Sequence, residues 1–266
     1  MKRDNLGSRM KEFYEQVPKT RLLRRTPVAI RIDGKAFHTF TRNFRKPFDG
    51  LLVMTMQDTM KYLCENIQGC VFGYTQSDEI TLILCDYQTL TSSAWFDYEV
   101  QKMCSVAASM ATLAFMKSFE KYFNIKQKDY FEKDLSDEEK QYFFHLCDAL
   151  EKGAMFDARC FNIPREEVTN LLYWRQLDAI RNSIQMAGQA NFKYKELHGK
   201  SCSDILQMLL TERNIDWEKD YHVCFQRGSC CIKVENESGR EKWMIDRHIP
   251  IFKDDGRAYV ETKISF

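Results

Sequence analysis

The sequence predicts an α+β fold with a split β-α-β sheet, and three successive patterns carry this prediction. A β-branched run at 28–32 stops abruptly at Asp33 and the glycine that follows it, which is typical of a strand entering a loop. Asp49 then precedes apolar residues at helical spacing, which indicates a capped helix. Two short apolar runs, 70–74 and 80–85, enclose a polar pentapeptide and predict a hairpin. In a split β-α-β arrangement, the third strand lies between the first two.

The elements after this hairpin follow from similar local signals. A long helix is expected over about 94–122, and the charged stretch 126–140 is expected to be a mobile connection to a second half. Ser136 with Glu139 three residues later forms a capping-box pattern, which predicts a helix ending at Gly153. The elements predicted for the remaining chain are a strand at 156–161, a helix over 164–190, and strands at 222–225, 230–234 and 258–264.

The composition is that of a soluble globular protein. The chain has 266 residues, 44% of them hydrophobic, and only 11 glycines and 5 prolines, which excludes collagen-like and low-complexity chains. The ten cysteines form no C-x-x-C pair, and the five histidines share no ligand spacing with them, which disfavours a zinc site. The N-terminus carries charges where a leader would be apolar, and the apolar stretch 105–116 is too short to span a bilayer. We therefore expect a cytoplasmic, reduced protein without membrane contact.

Charge is distributed unevenly along the chain. The whole sequence has 39 basic and 38 acidic residues, a net charge of +1, which lacks the basic excess usual in nucleic-acid-binding proteins. Residues 1–46, however, contain thirteen basic and four acidic side chains, so this segment carries +9 and the remaining 220 residues carry −8. Such asymmetry favours a polyanionic partner on one face, and a solvated charged surface is the open alternative.

Three carboxylates are expected to meet at one end of the sheet. Asp33 ends the first strand, and Asp78 and Glu79 lie at the hairpin tip, which the split topology places beside that end. Few cations lie near them in sequence. Because clustered carboxylates repel each other, a hard divalent cation such as Mg²⁺ is their usual counter-ion when phosphates are the substrate. Two such ions would support phosphoryl or nucleotidyl transfer.

Phosphate-binding groups are expected next to these carboxylates. Gly34 allows close backbone approach, and the amides of residues 34–38 form a candidate cradle for a triphosphate if a helical turn starts there. Arg31, Lys35 and Lys46 are candidate counter-charges for the phosphates. These signals are weak separately, and their joint position in the strand order is what favours catalysis.

Several ordered segments resemble the tRNA-His guanylyltransferase superfamily of 3′-to-5′ polymerases. The matching segments are IRIDGKAFH at 30–38, KP at 46–47, GYTQSDE at 73–79, FDAR at 156–159 and WRQLD at 174–178. A weaker match follows at Arg227-Gly228, so the resemblance spans roughly residues 25–235.

This resemblance implies a fold, an assembly and a reaction. The fold would be a polymerase-like palm, a ferredoxin-like βαββαβ sheet with helices, as a catalytic domain over 1–125. A C-terminal helical and β-hairpin region over 126–266 would pack on the palm, and the protein would assemble as a homotetramer. Family members activate a tRNA 5′-monophosphate with ATP. The 3′-hydroxyl of an incoming nucleotide, GTP or another triphosphate, then attacks the activated end.

The resemblance also implies roles for individual residues. Asp33 and Asp78 would be catalytic side-chain ligands of two Mg²⁺ ions, with the Gly34 carbonyl as a further ligand and Glu79 as a supporting catalytic carboxylate. The predicted nucleotide- or cofactor-binding positions are Arg31, Gly34, Lys35, Phe37, His38, Lys46, Ser77, Lys102 and Asn182.

One departure from the family pattern bears on the substrate. Eukaryotic guanylyltransferases carry a His-Ile-Asn-Asn-Leu-Tyr-Asn run, and residues 180–186 of this chain keep only Asn182 of it and have Ile180 at its head. This is similar to the bacterial and archaeal "like" subfamily, whose members repair 5′-truncated tRNAs with templated nucleotides. Three alternatives stay open: tRNA-His guanylyltransferase proper, a palm-type nucleotide cyclase, and a non-catalytic RNA-binding protein that uses the basic N-terminal face.

Overall fold

A computed structural model describes residues 5–235 and 239–264, and its centre is a six-stranded antiparallel sheet. The strands are β1 Val28–Gly34, β2 Cys70–Gln76, β3 Glu79–Leu84, β4 Phe156–Asn162, β5 Ser229–Glu235 and β6 Glu241–Asp246. Their order across the sheet is β4-β1-β3-β2-β5-β6. Because β3 pairs antiparallel with both β1 and β2, the first two strands run parallel with the third between them. The predicted α+β fold and split topology are confirmed.

Helices cover both faces of this sheet. They are α1 Asn5–Met10, α2 Phe37–Phe40, α3 Gly50–Asn66, α4 Val100–Glu132, α5 Asp137–Lys152, α6 Arg165–Asn191, α7 Tyr194–Leu197, α8 Cys202–Arg213, α9 Trp217–Asp220, α10 Val223–Arg227 and α11 Arg257–Glu261. Successive strand residues point to opposite faces, so Ile30 packs with α3 and α4 while Ala29 packs with α6. No helix in the described part of the chain is long and apolar enough to cross a membrane.

The predicted helix caps are confirmed. Asp49 accepts hydrogen bonds from the amides of Leu51 and Leu52, at 2.9 and 3.1 Å, and so caps α3. Ser136 and Glu139 form the reciprocal capping box at the start of α5, which ends at Gly153. These ends follow from side chains within three residues, which is why the sequence alone predicts them.

The prediction of a mobile connection over 126–140 is wrong. Helix α4 begins later than expected, after a 3-10 turn at Trp95–Tyr98, and continues to Glu132. Its last turns are stabilised by α5, since the rings of Tyr130 and Phe143 stack with centroids 4.4 Å apart. The charges of this stretch form ion pairs along the exposed side of the helix, such as Lys133 Nζ with Asp129 Oδ1 at 2.7 Å.

The two halves of the chain share one sheet. The predicted boundary at residues 125/126 falls inside α4, and β4 and β5, from the second half, pair with β1 and β2. The division into two domains stays a prediction.

Two of the three predicted C-terminal strands are wrong. Residues 222–225 lie largely in the short helix α10, because the His222 side chain accepts from the amide of Cys224 and caps that helix. Residues 258–264 begin in α11, where Val260 is buried. The run 230–234 is confirmed as part of β5. Its partner β6 is a strand in which every residue is exposed or half-buried, and it carries no strong sequence signal.

Candidate active site

Strand register brings three carboxylates together at one end of the sheet. Asp33 lies opposite Glu79 on β3 and opposite Asp157 on β4. The amide of Gly34 donates to the carbonyl oxygen of Asp78 at 3.1 Å, which ties the end of β1 to the hairpin tip. The sequence predicted this meeting of Asp33, Asp78 and Glu79 from strand order.

Asp33 and Asp78 both carry poorly compensated negative charge. Burial raises the pKa of Asp33, and the charges of Asp78, Glu79 and Asp157 raise it further, against the opposing effect of Arg159. Burial also raises the pKa of Asp78, although the Ser77 hydroxyl donates to its Oδ1 at 2.9 Å and acts in the other direction. Both carboxyl groups would therefore gain from a bound cation.

Glu79 is in a different situation, and here the expectation of few nearby cations is wrong. The Glu79 side chain is 5% exposed, and its two oxygens accept from Arg175 Nε at 2.7 Å and Nη2 at 2.8 Å. Arg31 Nη2 donates to Glu79 Oε2 at 2.7 Å. Arg175 Nη2 also donates to Asp178 at 3.0 Å. Glu79 therefore joins α6 and β1 through two guanidinium groups. Both of its oxygens accept hydrogen bonds from these arginines.

Arg175 is the residue of this site whose role the sequence did not reveal. Its guanidinium lies 4.5 Å from the centroid of the Trp174 ring, on which Arg31 also lies at 5.4 Å. A signal was available, because Arg175 follows Leu171 and Leu172 at three- and four-residue spacing on the buried face of α6. A charged residue on such a face indicates a buried partner of opposite charge, but not which one.

An open cleft of about 420 Å³ lies at this end of the sheet and is lined by Asp78 and by Gly34, the residue after Asp33. Gly34, His38, Lys46, Ser77 and Asp78 all line it, and the His38 and Lys46 side chains are exposed. The structure thus brings together six of the predicted site residues, these five and Phe37.

Phe37 has a structural position in the wall of this cleft. Its ring is 4% exposed and packs against Phe115 and Phe156, with centroids 5.5 and 5.1 Å away. A Cβ at Gly34 would collide with the Phe37 ring, so any larger residue at the end of β1 would force that ring to move.

Two of the amides expected to cradle phosphate are already engaged. The Gly34 amide donates to Asp78, and the Lys35 amide donates to the carbonyl of Met155 at 2.9 Å. Of the expected phosphate cradle, only residues 36–38 lie at the start of a helical turn, that of α2. The Lys35 side chain is exposed, and Lys102 lies at the start of α4 with Nζ 4.7 Å from the centroid of the Phe96 ring, outside the lining of the cleft.

The family model for tRNAHis guanylyltransferase (Thg1) matches residues 7–164, more than half of the chain. The chain belongs to the tRNAHis guanylyltransferase family. It is accordingly a nucleotidyltransferase. The matched span contains Asp33, Asp78 and Glu79 and ends just before α6.

Solved structures extend the likeness over nearly the whole chain. A bacterial Thg1-like protein in complex with ATP is 39% identical, with a TM-score of 0.80 and coverage of 98% of this chain and 100% of that one. A second such structure, in complex with GTP, is 35% identical, with a TM-score of 0.77 and coverage of 99% and 100%. The tRNA(His) guanylyltransferase of Schizosaccharomyces pombe is 28% identical over 83% of this chain and 77% of that protein.

In this guanylyltransferase family member, α6 closes one side of the active-site region. Asn182 of α6 lines a small cavity of about 80 Å³ together with Ser77, and Met186 lines both this cavity and the larger cleft. The rings of Phe48 and Phe225 stack at its edge with centroids 5.1 Å apart. The position of Asn182 near Ser77 of the hairpin tip thus depends on α6, which the Glu79–Arg175 ion pair joins to β3.

Proposed function

We propose that this protein adds templated nucleotides to the 5′ end of tRNA in the 3′-to-5′ direction, after ATP-dependent activation of the 5′-phosphate. The observation that carries this proposal is the pair Asp33 and Asp78 at one end of the sheet, where Asp78 lines an open cleft with cationic side chains. Both carboxyl groups have a raised pKa, which indicates charge left for a ligand to neutralise. ATP and GTP, which are bound in the two solved relatives, are the proposed substrates.

The donor set suits a hard divalent cation. Asp33 and Asp78 offer carboxylate oxygens and Gly34 offers a carbonyl, the ligand type that Mg²⁺ prefers. No group of three or more His, Cys, Asp and Glu side chains is arranged to hold a metal within the described ranges. We therefore infer a site completed by substrate phosphates and water, with Asp33, Asp78 and the Gly34 carbonyl as the protein ligands of two Mg²⁺. Such ions supply activation of an attacking oxygen and stabilisation of the leaving one.

The remaining cleft residues would bind and orient the substrates. Lys46 and His38 are exposed on the cleft and are placed to bind triphosphate oxygens, and the Ser77 hydroxyl lies at the junction with the Asn182 cavity. Glu79 would act as a positioning residue, because its oxygens are engaged by Arg31 and Arg175.

Templated repair is favoured over obligatory guanylate addition to tRNA-His. Ile180 stands where the eukaryotic enzymes carry a histidine, and it packs against the apolar cluster of Ile184 and Phe192. An aliphatic side chain in such a cluster makes no polar contact with a nucleotide. The homotetramer implied by the family resemblance and the cytoplasmic location expected from the cysteine spacing and the charged N-terminus remain predictions.

A single assay tests the proposed reaction. The protein is incubated with 5′-monophosphorylated tRNA lacking its first nucleotide, ATP, the templated triphosphate and Mg²⁺. We expect an adenylylated intermediate and a tRNA one nucleotide longer. Asp33→Asn and Asp78→Asn should each lower the rate by at least about 100-fold, because each weakens stabilisation worth several kcal/mol. Asp137→Asn, an exposed acid on α5, is the matched control and should retain the wild-type rate.

Other products would identify the alternatives. Absence of both intermediate and extended tRNA would contradict the proposal, as would full activity of the Asp33 or Asp78 variants. Preferential extension of full-length tRNA-His with GTP would indicate guanylyltransferase proper, and release of cyclic nucleotide without RNA would indicate a cyclase. RNA affinity that falls steeply with salt and ignores the aspartates, without turnover, would indicate a binding protein.

A further inference from the structure

Another cavity lies between α6, α7 and α8, and the proposed reaction does not use it. We call it the α6–α8 pocket; its volume is about 470 Å³. Its polar rim consists of Gln185, Gln189, Tyr194, His198 and Lys200, and its apolar floor consists of Phe192, Leu197 and Ile205.

The floor of the α6–α8 pocket is closely packed. A Cβ added at Gly188 would lie 2.8 Å from Ile205 Cγ2 and 3.4 Å from Leu197 Cδ2, so α6 approaches α8 at the glycine. Phe192 and Ile205 are buried in the same cluster, which also contains Leu209. A preformed apolar base of this kind suits a planar ligand, because little has to move on binding.

The rim carries the side-chain types that recognise a nucleobase. Tyr194 is 80% exposed, and the centroid of its ring lies 5.9 Å from that of His198. Gln185 and Gln189 project from the exposed side of α6, and each amide offers both donors and an acceptor. Exposed aromatic rings stack on unpaired bases, while amides hydrogen-bond to their edges.

The charge around the pocket favours a polyanion. The segment 193–200 has three lysines and His198 against the single acid Glu196, whose carboxylate accepts from the Lys193 amide at 2.7 Å. Asp204 is the acid near Lys200, and its carboxylate accepts from the amide and hydroxyl of Ser201. Among the described residues no carboxylate lines the pocket.

Helix α6 connects this pocket to the active-site cleft. Gln189 follows Asn182 by seven residues, so the two lie on nearly the same face of the helix and about 10 Å apart along its axis. An RNA strand whose 5′ end lies beside Asn182 can therefore reach the pocket within a few nucleotides.

We propose that the α6–α8 pocket binds an unpaired nucleobase of the RNA substrate. Tyr194 stacks on the base, Gln185 and Gln189 hydrogen-bond to its edge, and Lys200 contacts the adjacent phosphate. This inference rests on the proposed function only in taking RNA as the substrate.

Fluorescence anisotropy of labelled tRNA lacking its first nucleotide tests this pocket without turnover. We expect Tyr194→Ala to weaken tRNA binding by about 5- to 150-fold, the range for loss of one stacked base, and Tyr194→Phe to stay within about twofold of wild type. The matched control is Phe131→Ala, which removes a different aromatic ring near the end of α4. Phe131 is 75% exposed, and its variant should bind tRNA with wild-type affinity. Lys200→Gln should lower the slope of log affinity against log salt by about one phosphate contact.

Kinetics and folding controls separate the outcomes. Tyr194→Ala should raise the KM for tRNA while kcat at saturating tRNA and the KM for ATP stay unchanged. If Tyr194→Ala has an altered circular dichroism spectrum, the double variant Gln185→Ala with Gln189→Ala tests the α6–α8 pocket instead. Wild-type tRNA affinity in both variants would overturn the proposal, and so would a raised KM for ATP alone, which would indicate a mononucleotide site. Failure of the wild-type protein to extend tRNA would refute the proposed function. The anisotropy experiment would still test the pocket, because it measures tRNA binding without turnover.

Discussion

Removing one partner of the buried ion pair between Arg175 and Glu79 should destabilise this fold strongly. Arg175→Met removes three hydrogen bonds, two to Glu79 and one to Asp178, and keeps most of the apolar volume of the side chain. It leaves a carboxylate that is only 5% exposed with Arg31 as its remaining cationic partner. Breaking a buried pair by removing one partner costs roughly 3–5 kcal/mol, because the other charge stays desolvated.

The retained contact with Arg31 places the expected loss near the lower end of that range. For a chain of this size, roughly 3–5 kcal/mol corresponds to a fall in Tm of about 6–20 °C. Arg31→Met removes a single hydrogen bond to the same carboxylate and should cost roughly 1.5–3 kcal/mol. Thermal unfolding followed by circular dichroism measures both variants and should rank Arg175→Met as the more destabilising.

A double variant tests the cause of this loss. Glu79→Gln combined with Arg175→Met removes the stranded negative charge, so its destabilisation should be clearly smaller than the sum of the two single effects. A fall in Tm of less than about 2 °C for Arg175→Met, or additive effects in the double variant, would refute the view that a desolvated carboxylate dominates.

Three further substitutions probe the site and its support. Gly34→Ala places a methyl group against the Phe37 ring and should cost roughly 1–3 kcal/mol in urea unfolding; an unchanged midpoint would show that the ring moves aside. Asp33→Asn should raise the Tm at pH 7 without divalent cations, because burial and neighbouring carboxylates raise the pKa of Asp33 in the folded state. The folded protein then binds the Asp33 proton more tightly than the unfolded chain does, so the gain in Tm should vanish as the pH falls below the ordinary aspartate pKa of 3.8. A gain in Tm that persists below that pH would contradict a raised pKa as its cause. Tyr142→Phe leaves the Asp49 carboxylate without its 2.7 Å hydrogen bond and should cost roughly 1.5–3 kcal/mol, measured by the same urea titration, with Tyr194→Phe on the surface as the neutral control.

Much of the fold was predictable because the signals are short-ranged. The β-branched run of β1, the Asp49 cap and the Ser136 capping box each involve residues a few positions apart, and all three predictions are confirmed. The predicted meeting of Asp33 with the hairpin tip needed one more step, because it follows from the order of strands rather than from any contact seen in the sequence.

The errors arose where stability comes from distant partners. The end of α4 is helical because Tyr130 packs on Phe143, and charge patterning alone cannot report such a contact. The segment after β6 alternates like a strand and instead forms α11, since Val260 packs into the cluster of Phe252. Local propensity is too weak to decide such segments against tertiary packing.

The family resemblance, the split sheet and the meeting of the three carboxylates at one end of it all follow from the sequence alone. The different roles of these carboxylates depend on tertiary contacts, because Arg175 reaches Glu79 across 96 residues while Asp33 and Asp78 keep raised pKa values. The near-zero net charge of the chain likewise cannot be interpreted without the tertiary structure. Its meaning depends on which charges are paired in the interior and which face a ligand, and burial and distance set that difference.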